Sequence, residues 1–171
     1  MTARTDAASG LIADLTSAGL TIAVAESLTG GLLVADLVRV PGASAVVVGA
    51  VVAYATALKQ SVLGVDAALL AEHGAVHPEV ARQMAIGVRS ALAVDGRPAD
   101  IGVATTGVAG PDEQDGRPVG TVYLGVATGD RSWALALLLH GDRAGIRAQT
   151  VAAAIEAVCR LRETGKPELS E

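Results

Sequence analysis

The residues with the clearest chemical potential lie where an apolar segment gives way to a pair of glycines. The stretch Glu26-Ser27-Leu28-Thr29-Gly30-Gly31 follows an apolar run and precedes a helical pattern. Such a strand-to-helix corner presents a side chain at the edge of a sheet, and the unpaired N–H groups of a helix start can hold an oxyanion or a phosphate. Ser27 is therefore a candidate nucleophile, with Gly30 and Gly31 as anion donors. The same pattern also fits Ser27 or Thr29 as a plain helix cap.

A serine nucleophile needs a base, and the use of lysine in this chain is informative. Eleven basic positions hold arginine and only two hold lysine, one of which is Lys166 near the carboxyl terminus. Arginine keeps its proton in proteins, whereas a lysine buried among apolar residues has a lowered pKa and can accept one. Lys59 is thus a candidate base, although a surface lysine on an amphipathic helix fits the segment too. No histidine has a convincing triad context, but His77 could line a pocket.

Tyr54 lies shortly before Lys59, at the end of a valine-rich segment. Its hydroxyl could relay a proton or fix the position of the lysine amine, which makes it a third candidate catalytic residue. A tyrosine at a strand end also often covers the core with its ring and leaves its hydroxyl in water. The position of Tyr54 in the sequence leaves both interpretations open.

Two further segments suit a polar or anionic ligand. The stretch Thr105-Thr106-Gly107-Val108-Ala109-Gly110-Pro111-Asp112 passes from an apolar run into a loop. The hydroxyls of Thr105 and Thr106 and the N–H of Gly107 suit a phosphate or a carboxamide, although ordinary turns use the same residue types. Arg143 and Arg147 lie about one helical turn apart, and guanidinium groups pair well with phosphate oxygens. Either arginine could instead form an ion pair within its helix.

The elements that must position these residues alternate between helix and strand. The hydrophobic spacing, the turn residues and the caps predict them as follows: helices up to Gly19, at about 29–38, 56–62, after Asp66, 78–94 and 142–161, and strands at 21–25, 46–52, 101–105, 119–127 and 132–139. A Gly129-Asp130 turn makes the last two strands a hairpin, so the sheet is mixed. We expect one domain over residues 1–171, with a polar, frayed tail from about 163. Its fold class is α/β, a three-layer α/β/α sandwich with a mixed central sheet.

Composition excludes several classes of function. The formal charge is -5, the pI is near 5.1 and the basic residues are scattered, so direct nucleic-acid binding is not expected. No Cys/His/Asp cluster has metal-ligand spacing and no nucleotide-cofactor motif occurs, so a hydrolase without metal or cofactor remains. The uncharged run 43–58 is shorter than a membrane span. The single Cys159 and the lack of an apolar signal region favour the cytoplasm.

Apolar residues make up 51% of the chain and aromatic residues 2%, so the core must consist of Ala, Val, Leu and Ile. In a short chain this apolar content favours burial of surface between subunits. We therefore expect a homodimer or a higher homo-oligomer. Apart from its own copies, we expect the chain to bind a small nucleotide in a pocket, because its negative charge does not suit a nucleic-acid polymer.

The motifs also resemble one family in their order along the chain. The blocks lie at 26–31, 49–59, 74–76, 106–111, 118–122 and 141–143. Across roughly residues 11–158 they resemble the CinA carboxy-terminal domain family. The resemblance implies a nicotinamide mononucleotide deamidase of pyridine nucleotide recycling, which hydrolyses the carboxamide to nicotinic acid mononucleotide and ammonia.

The resemblance also assigns roles to residues. It implies a Ser/Lys hydrolase in which Ser27 is the nucleophile, Lys59 the base and Tyr54 the partner of the lysine. Thr106 and Arg143 fall at positions that the family associates with the site, and the chemistry of Arg143 suggests that it binds the phosphate. His77 stands where many members have serine, so a contact there is expected to differ. The nucleotide-hydrolysing domain of longer members is not expected, and neither is its activity.

Two other functions fit parts of the pattern. A non-catalytic nucleotide-binding or regulatory module of the same fold would keep the pocket without turnover. An interaction protein in DNA uptake or repair would fit the competence and DNA-damage label of the family, but the acidic charge gives it no support. Release of ammonia from nicotinamide mononucleotide separates the first of these from the enzyme.

Overall fold

A five-stranded mixed sheet forms the centre of the computed structural model, which describes residues 6–169. The strands are Ile22–Glu26 (β1), Val47–Val52 (β2), Ile101–Gly107 (β3), Thr121–Ala127 (β4) and Ser132–Leu138 (β5). Their order across the sheet is β2-β1-β3-β4-β5. The first three strands run parallel, and β4 and β5 add an antiparallel hairpin beside β3. The parallel strands therefore end at one common edge of the sheet, where the corner after β1 lies.

The described residues also form six α-helices: Ala7–Ala18 (α1), Leu32–Val38 (α2), Thr56–Ser61 (α3), Ala67–His73 (α4), Pro78–Ala91 (α5) and Arg143–Thr164 (α6). Helices α1, α2 and α6 pack against one another on one face. Helix α5 packs across β1, β3, β4 and β5 on the other face. The prediction of an α/β fold with helices on both faces of a mixed sheet is confirmed.

Alternation along the strands divides the core into two parts of different character. In β1, Ile22 and Val24 belong to the cluster under α1, α2 and α6, whereas Ala23 and Ala25 belong to the cluster under α5. Because successive side chains of a strand point to opposite faces, one strand serves both layers. The α5 side of β1 is thus lined by the smaller residues, which lets that helix approach the sheet.

The contact between α5 and the sheet leaves no room for larger side chains. A Cβ at Gly102 would lie 2.0 Å from the carbonyl oxygen of Ala85, and a Cβ at Gly125 would lie 1.9 Å from that of Ala81. The backbone of α5 therefore rests directly on β3 and β4. Such direct contact of backbone with backbone lets a core almost without aromatic rings pack closely.

Several predicted boundaries shift in the structure by a few residues. Helix α2 begins at Leu32 rather than near 29, because Gly30 and Gly31 adopt positive φ angles of 59° and 98° that continue the turn. Strand β3 runs on to Gly107, which pairs with Val122 of β4. The tail predicted from about 163 begins in the helix and is in part packed, as follows.

Helix α6 continues to Thr164 and ends at Gly165, whose left-handed conformation caps it. Beyond it, Pro167 is buried and Leu169 packs against the core. Residues 170 and 171 of the predicted tail lie outside the described residues. Across residues 6–169, none of the helices combines the length and the apolar character that a membrane span requires.

Candidate active site

The corner after β1 is built by hydrogen bonds to the neighbouring strand. Ser27 N–H donates to the carbonyl of Thr105 at 3.1 Å, which extends the parallel pairing of β1 and β3 by one residue. The chain then turns through Gly30, whose N–H donates to the carbonyl of Ser27 at 3.1 Å. The positive φ angle at Gly30 is one that residues with a Cβ rarely adopt. Ser27 is thus held at the carboxyl edge of the sheet, with 8% of its surface exposed.

Ser27 and Lys59 lie in direct contact. The Nζ atom of Lys59 lies 3.0 Å from Oγ of Ser27 and donates a second hydrogen bond to the carbonyl of Ala53 at 2.8 Å. Lys59 is completely buried, and this burial lowers its pKa from 10.5 to about 8. A buried amine of this kind releases its proton near neutral pH far more readily than a surface lysine does. The two groups therefore have the distance and the pKa of a nucleophile and its base.

Tyr54 and Arg143 form a second contact at the mouth of the same site. Arg143 donates from Nη2 to the Tyr54 hydroxyl at 3.1 Å and from Nη1 to the carbonyl of Gly110 at 2.7 Å. Tyr54 is 60% exposed. The described hydrogen bond of its hydroxyl is with Arg143, so the structure does not place Tyr54 as a direct partner of Lys59.

These side chains line one cavity of about 280 Å³. The volume is close to the lower end of the range typical of small-molecule pockets. Thr106 also lines it, and its hydroxyl donates to the carbonyl of Ala75 at 2.7 Å, which ties β3 to the segment before α5. The remaining wall comes from residues that were not predicted individually as site residues, although most of them lie in the segments named above: Leu28, Ala75, Val76, Val108, Ala109, Gly110, Pro111, Asp112, Glu113 and Gln114.

The structure brings six of the ten predicted site residues to this cavity: Ser27, Tyr54, Lys59, Thr106, Gly107 and Arg143. The other four, Thr29, Gly30, Gly31 and Thr105, do not line it. Thr29 and Thr105 are fully buried and share a hydrogen bond of 2.8 Å between their hydroxyls, behind the corner. Their polar atoms stabilise the corner and are not available to a ligand.

The anion site expected at Gly30 and Gly31 is occupied by the protein itself. Gly31 N–H donates to the Glu26 carboxylate at 2.9 Å, and Gly30 N–H is already used by Ser27. From the sequence, the N–H groups at the helix start were expected to be unpaired. In the structure the side chain of Glu26 folds back onto them. The oxyanion role predicted for these two N–H groups is therefore not supported.

Two further expectations are resolved by geometry. Within the described part of the chain, Arg147 neither pairs with an acidic residue of its helix nor lines the cavity, because its guanidinium donates to the carbonyls of Leu28 and Thr29, both at 2.9 Å. His77 does not line the cavity either. Its Nδ1 accepts a hydrogen bond from Glu79 N–H at 3.2 Å and caps α5, and its ring stacks on His73 with centroids 4.6 Å apart.

Two parts of the site could not be recognised from side-chain types in the sequence. Ala53 contributes a backbone carbonyl, so only the fold reveals its role. The loop around Asp112 and Glu113 reaches the cavity because Gly74 leaves space for the loop tip, where a Cβ would lie 2.5 Å from Asp115 Oδ2. Among residues 6–169, no three His, Cys, Asp or Glu side chains are grouped to hold a metal ion.

Together the fold and the site define an α/β protein that carries a serine and a buried lysine at a strand-to-helix corner. Comparison with known proteins identifies the family. The family described as the CinA C-terminal domain matches residues 4–162, so the chain belongs to the CinA C-terminal domain family.

The chain is similar to several curated members of the family. It is 50% identical over 141 residues to a CinA-like protein of Frankia casuarinae, covering 82% of this chain and 31% of that protein. It is 48% identical over 153 residues to a CinA-like protein of Anaeromyxobacter sp., covering 89% of this chain and 35% of that protein. The chain thus spans about a third of the length of these relatives.

Solved structures show the same fold. The competence/damage inducible protein CihA from Agrobacterium tumefaciens has a TM-score of 0.82 at 33% identity, with 94% of this chain and 99% of that chain covered. A CinA superfamily protein from Escherichia coli has a TM-score of 0.85 at 28% identity, with 92% of this chain and 89% of that chain covered. Nearly the whole of each of these chains is therefore shared with the present one.

Proposed function

We propose that this chain hydrolyses the carboxamide of nicotinamide mononucleotide to nicotinic acid mononucleotide and ammonia. The observation that carries the proposal is the 3.0 Å contact between Ser27 Oγ and the fully buried amine of Lys59, at the wall of a cavity. Membership of the CinA C-terminal domain family supports the choice of substrate through the resemblance already described. The reaction belongs to pyridine nucleotide recycling and needs no metal or cofactor.

The mechanism begins with a proton transfer. The neutral amine of Lys59 takes the proton of Ser27, and the serine oxygen attacks the carboxamide carbon. The carbonyl of Ala53 accepts one N–H of the amine and so helps to direct the nitrogen lone pair towards Ser27. The resulting ammonium then gives its proton to the leaving nitrogen. Ammonia departs, and an ester between Ser27 and the nicotinoyl group remains.

The second half of the cycle repeats the same steps with water. Lys59 takes a proton from a water molecule, whose oxygen attacks the ester carbon. The serine oxygen leaves and recovers its proton from Lys59. The products are nicotinic acid mononucleotide and the free enzyme, so no oxidant, reductant or metal enters the balance.

Incubation of the purified chain with nicotinamide mononucleotide tests the proposal directly. We expect release of ammonia in equal amount to nicotinic acid mononucleotide, measured by a coupled ammonia assay and by chromatography of the nucleotide. Binding of the mononucleotide without release of ammonia would favour the non-catalytic nucleotide-binding module instead. If the chain neither binds the mononucleotide nor releases ammonia from it, both functions are contradicted.

Arg143 is the residue that we expect to bind the phosphate of the substrate. Of the residues lining the cavity, only Arg143 and Lys59 carry basic side chains, and the amine of Lys59 is engaged with Ser27. Arg143→Ala should raise KM for nicotinamide mononucleotide about 10–100-fold, because a charge-assisted pair with phosphate is lost. The effect on nicotinamide riboside, which has no phosphate, should be much smaller.

The matched control for this prediction is Arg160→Ala, since Arg160 lies on the same helix and pairs with Glu163 on the surface. This variant should keep the KM of the parent for both substrates. An equal increase in KM for mononucleotide and riboside in Arg143→Ala would contradict the phosphate role. It would point to a general disturbance of the wall that Arg143 forms with Gly110.

We also propose that the chain forms a homodimer in the cytoplasm, with no membrane or nucleic-acid partner. Strand β2 is an edge strand, and exposed apolar side chains lie on it and on the neighbouring helices, among them Leu32, Val52, Leu58 and Val62. Apolar surface beside an unpaired strand edge favours association of subunits. Sedimentation velocity should give twice the mass of one chain, and a monomer at working concentrations would contradict the proposal.

A further inference from the structure

The carboxylate of Glu26 is buried completely, yet the proposed mechanism does not use it. It lies at the end of β1, directly before Ser27, and folds back over the start of α2. Oε2 accepts hydrogen bonds from Gly31 N–H at 2.9 Å and Leu33 N–H at 3.1 Å, and Oε1 accepts one from Val34 N–H at 2.9 Å. A buried charge is costly unless it is well paired, so three N–H donors identify a site built for this carboxylate.

A cation holds the same corner from the other side. Arg147 of α6 donates from Nε to the carbonyl of Leu28 and from Nη2 to that of Thr29, both at 2.9 Å. Glu26 therefore fixes N–H groups that follow the corner, and Arg147 fixes carbonyl groups within it. The backbone of Leu28 and Thr29, which directly follows Ser27, is held between these two contacts.

These contacts decide which backbone donors remain free. The N–H groups of Gly30, Gly31, Leu33 and Val34 are all occupied. Within residues 6–169, by contrast, the N–H groups of Leu28 and Thr29 make no hydrogen bond, and of these two residues Leu28 lines the cavity. In other hydrolases with a serine at a strand-to-helix turn, the N–H of the residue after the serine stabilises the oxyanion.

We infer that Glu26 and Arg147 are positioning residues for the Ser27 corner, and that they leave the N–H of Leu28 as the oxyanion donor. The inference rests on the proposed function for its reaction, but not for its geometry. Glu26 takes the donors that the start of α2 would otherwise offer, so the anion forms beside Ser27 and not at the glycines. Arg147 fixes the two peptide units that follow the Leu28 N–H, and the hydrogen bond from Gly30 N–H to the Ser27 carbonyl at 3.1 Å fixes the peptide unit that carries it.

The variant Glu26→Gln tests the inference with the smallest change of shape. An amide has one oxygen and one NH₂ group, so at least one of the three backbone donors then faces another donor. We expect kcat to fall about 10–100-fold, as on loss of oxyanion stabilisation, with KM changed by less than about threefold. KM should change little because Arg143 and Thr106, which also line the cavity, lie on other elements. Glu163→Gln, a surface change on α6, is the matched control and should leave both constants unchanged.

Arg147→Lys is the second variant and covers the case in which Glu26→Gln does not fold. Lysine keeps the charge but loses the fork that reaches both carbonyls. Arg147 is partly buried and its neighbours are backbone atoms, so this variant should fold. It should also lower kcat without a matching change in KM, and Arg160→Lys is its control. Parent values of kcat in folded Glu26→Gln and Arg147→Lys would overturn the inference.

A second readout separates this inference from the choice of substrate. A small fluorophosphonate should modify Ser27 in the parent, more slowly in Glu26→Gln and Arg147→Lys, and not at all in Ser27→Ala. If the parent reacts with the probe but releases no ammonia from the mononucleotide, the proposed substrate is wrong while the slower labelling still supports the corner. If both positioning variants are labelled at the parent rate, the inference is wrong whatever the substrate.

Discussion

Replacing Lys59 with methionine should lower the turnover of nicotinamide mononucleotide by about 10⁴-fold or more and at the same time stabilise the fold. Turnover falls because, among residues 6–169, no other base contacts Ser27 Oγ, and loss of one member of a catalytic pair costs about as much as loss of both. Stability rises because burial disfavours the charged amine, as the lowered pKa of about 8 shows. Methionine fills nearly the same volume without a charge.

The gain in stability should itself depend on pH. The pKa of Lys59 is lower in the folded chain than in the unfolded chain, so the unfolded chain binds more protons between about pH 8 and 10.5. The stability of the parent therefore rises across this window as the amine is neutralised in the folded state. The advantage of Lys59→Met is largest below about pH 8 and shrinks above it. Thermal unfolding at several pH values measures this difference, with Lys166→Met as a surface control.

The same pKa predicts the pH profile of the parent. The active form has a neutral Lys59, so kcat/KM should rise with pH and level off above about pH 8. A rise centred near the ordinary pKa of histidine would instead point to a histidine as the base. A variant Lys59→Met with near-normal turnover would contradict the assignment more directly.

Replacing Ser27 with alanine should have the second large effect, a loss of about 10⁴-fold or more in turnover, as for the other member of the pair. The hydroxyl supplies the atom that bonds to the substrate carbon, and no other side chain of the described corner can replace it. The fold should persist, because the described hydrogen bond of the Ser27 side chain is the one with Lys59. Binding of the mononucleotide should also persist, since Arg143 and Thr106 are unchanged. Ser61→Ala, an exposed serine on α3, is the control.

Trapping of the acyl-enzyme gives this prediction a chemical readout. Hydroxylamine added during turnover should convert part of the nicotinoyl ester on Ser27 to a hydroxamate in the parent and none in Ser27→Ala. Full ammonia release from Ser27→Ala would show that water attacks the amide directly. In that case Lys59 would act on the water, and Ser27 would only orient it.

The pair of Ser27 and Lys59 could be predicted because residue type and context agreed. A glycine-rich corner after a buried strand restricts where a nucleophile can lie, and one lysine in an arginine-using chain marks an unusual position. Arg143 was a candidate through the chemistry of its guanidinium group, and the structure places it at the cavity, while its phosphate role stays a prediction. The side chains of Thr29 and Thr105 have the same polar character, but only the fold shows that they bond to each other behind the corner.

The role of Glu26 could not be predicted from its place beside Ser27. A carboxylate next to a nucleophile fits many roles, and its contacts with Gly31, Leu33 and Val34 depend on how the chain turns between strand and helix. The free N–H donors predicted at Gly30 and Gly31 are therefore occupied in the structure. Similarly, the polar composition after residue 163 gave no indication that Pro167 is buried and that Leu169 packs against the core. The residues beside Pro167 are exposed.

The direct contact of α5 with the strands has a consequence for how this protein can vary. Backbone lies against glycine at Gly102 and Gly125, so any added carbon pushes the helix away and moves its first turn, which follows the cavity residues Ala75 and Val76. The opposite layer holds leucine, isoleucine and valine, which can exchange for one another when total volume is kept. Libraries for redesign should therefore diversify the α1, α2 and α6 side, and homologous chimeras should inherit α5 together with the sheet as one unit.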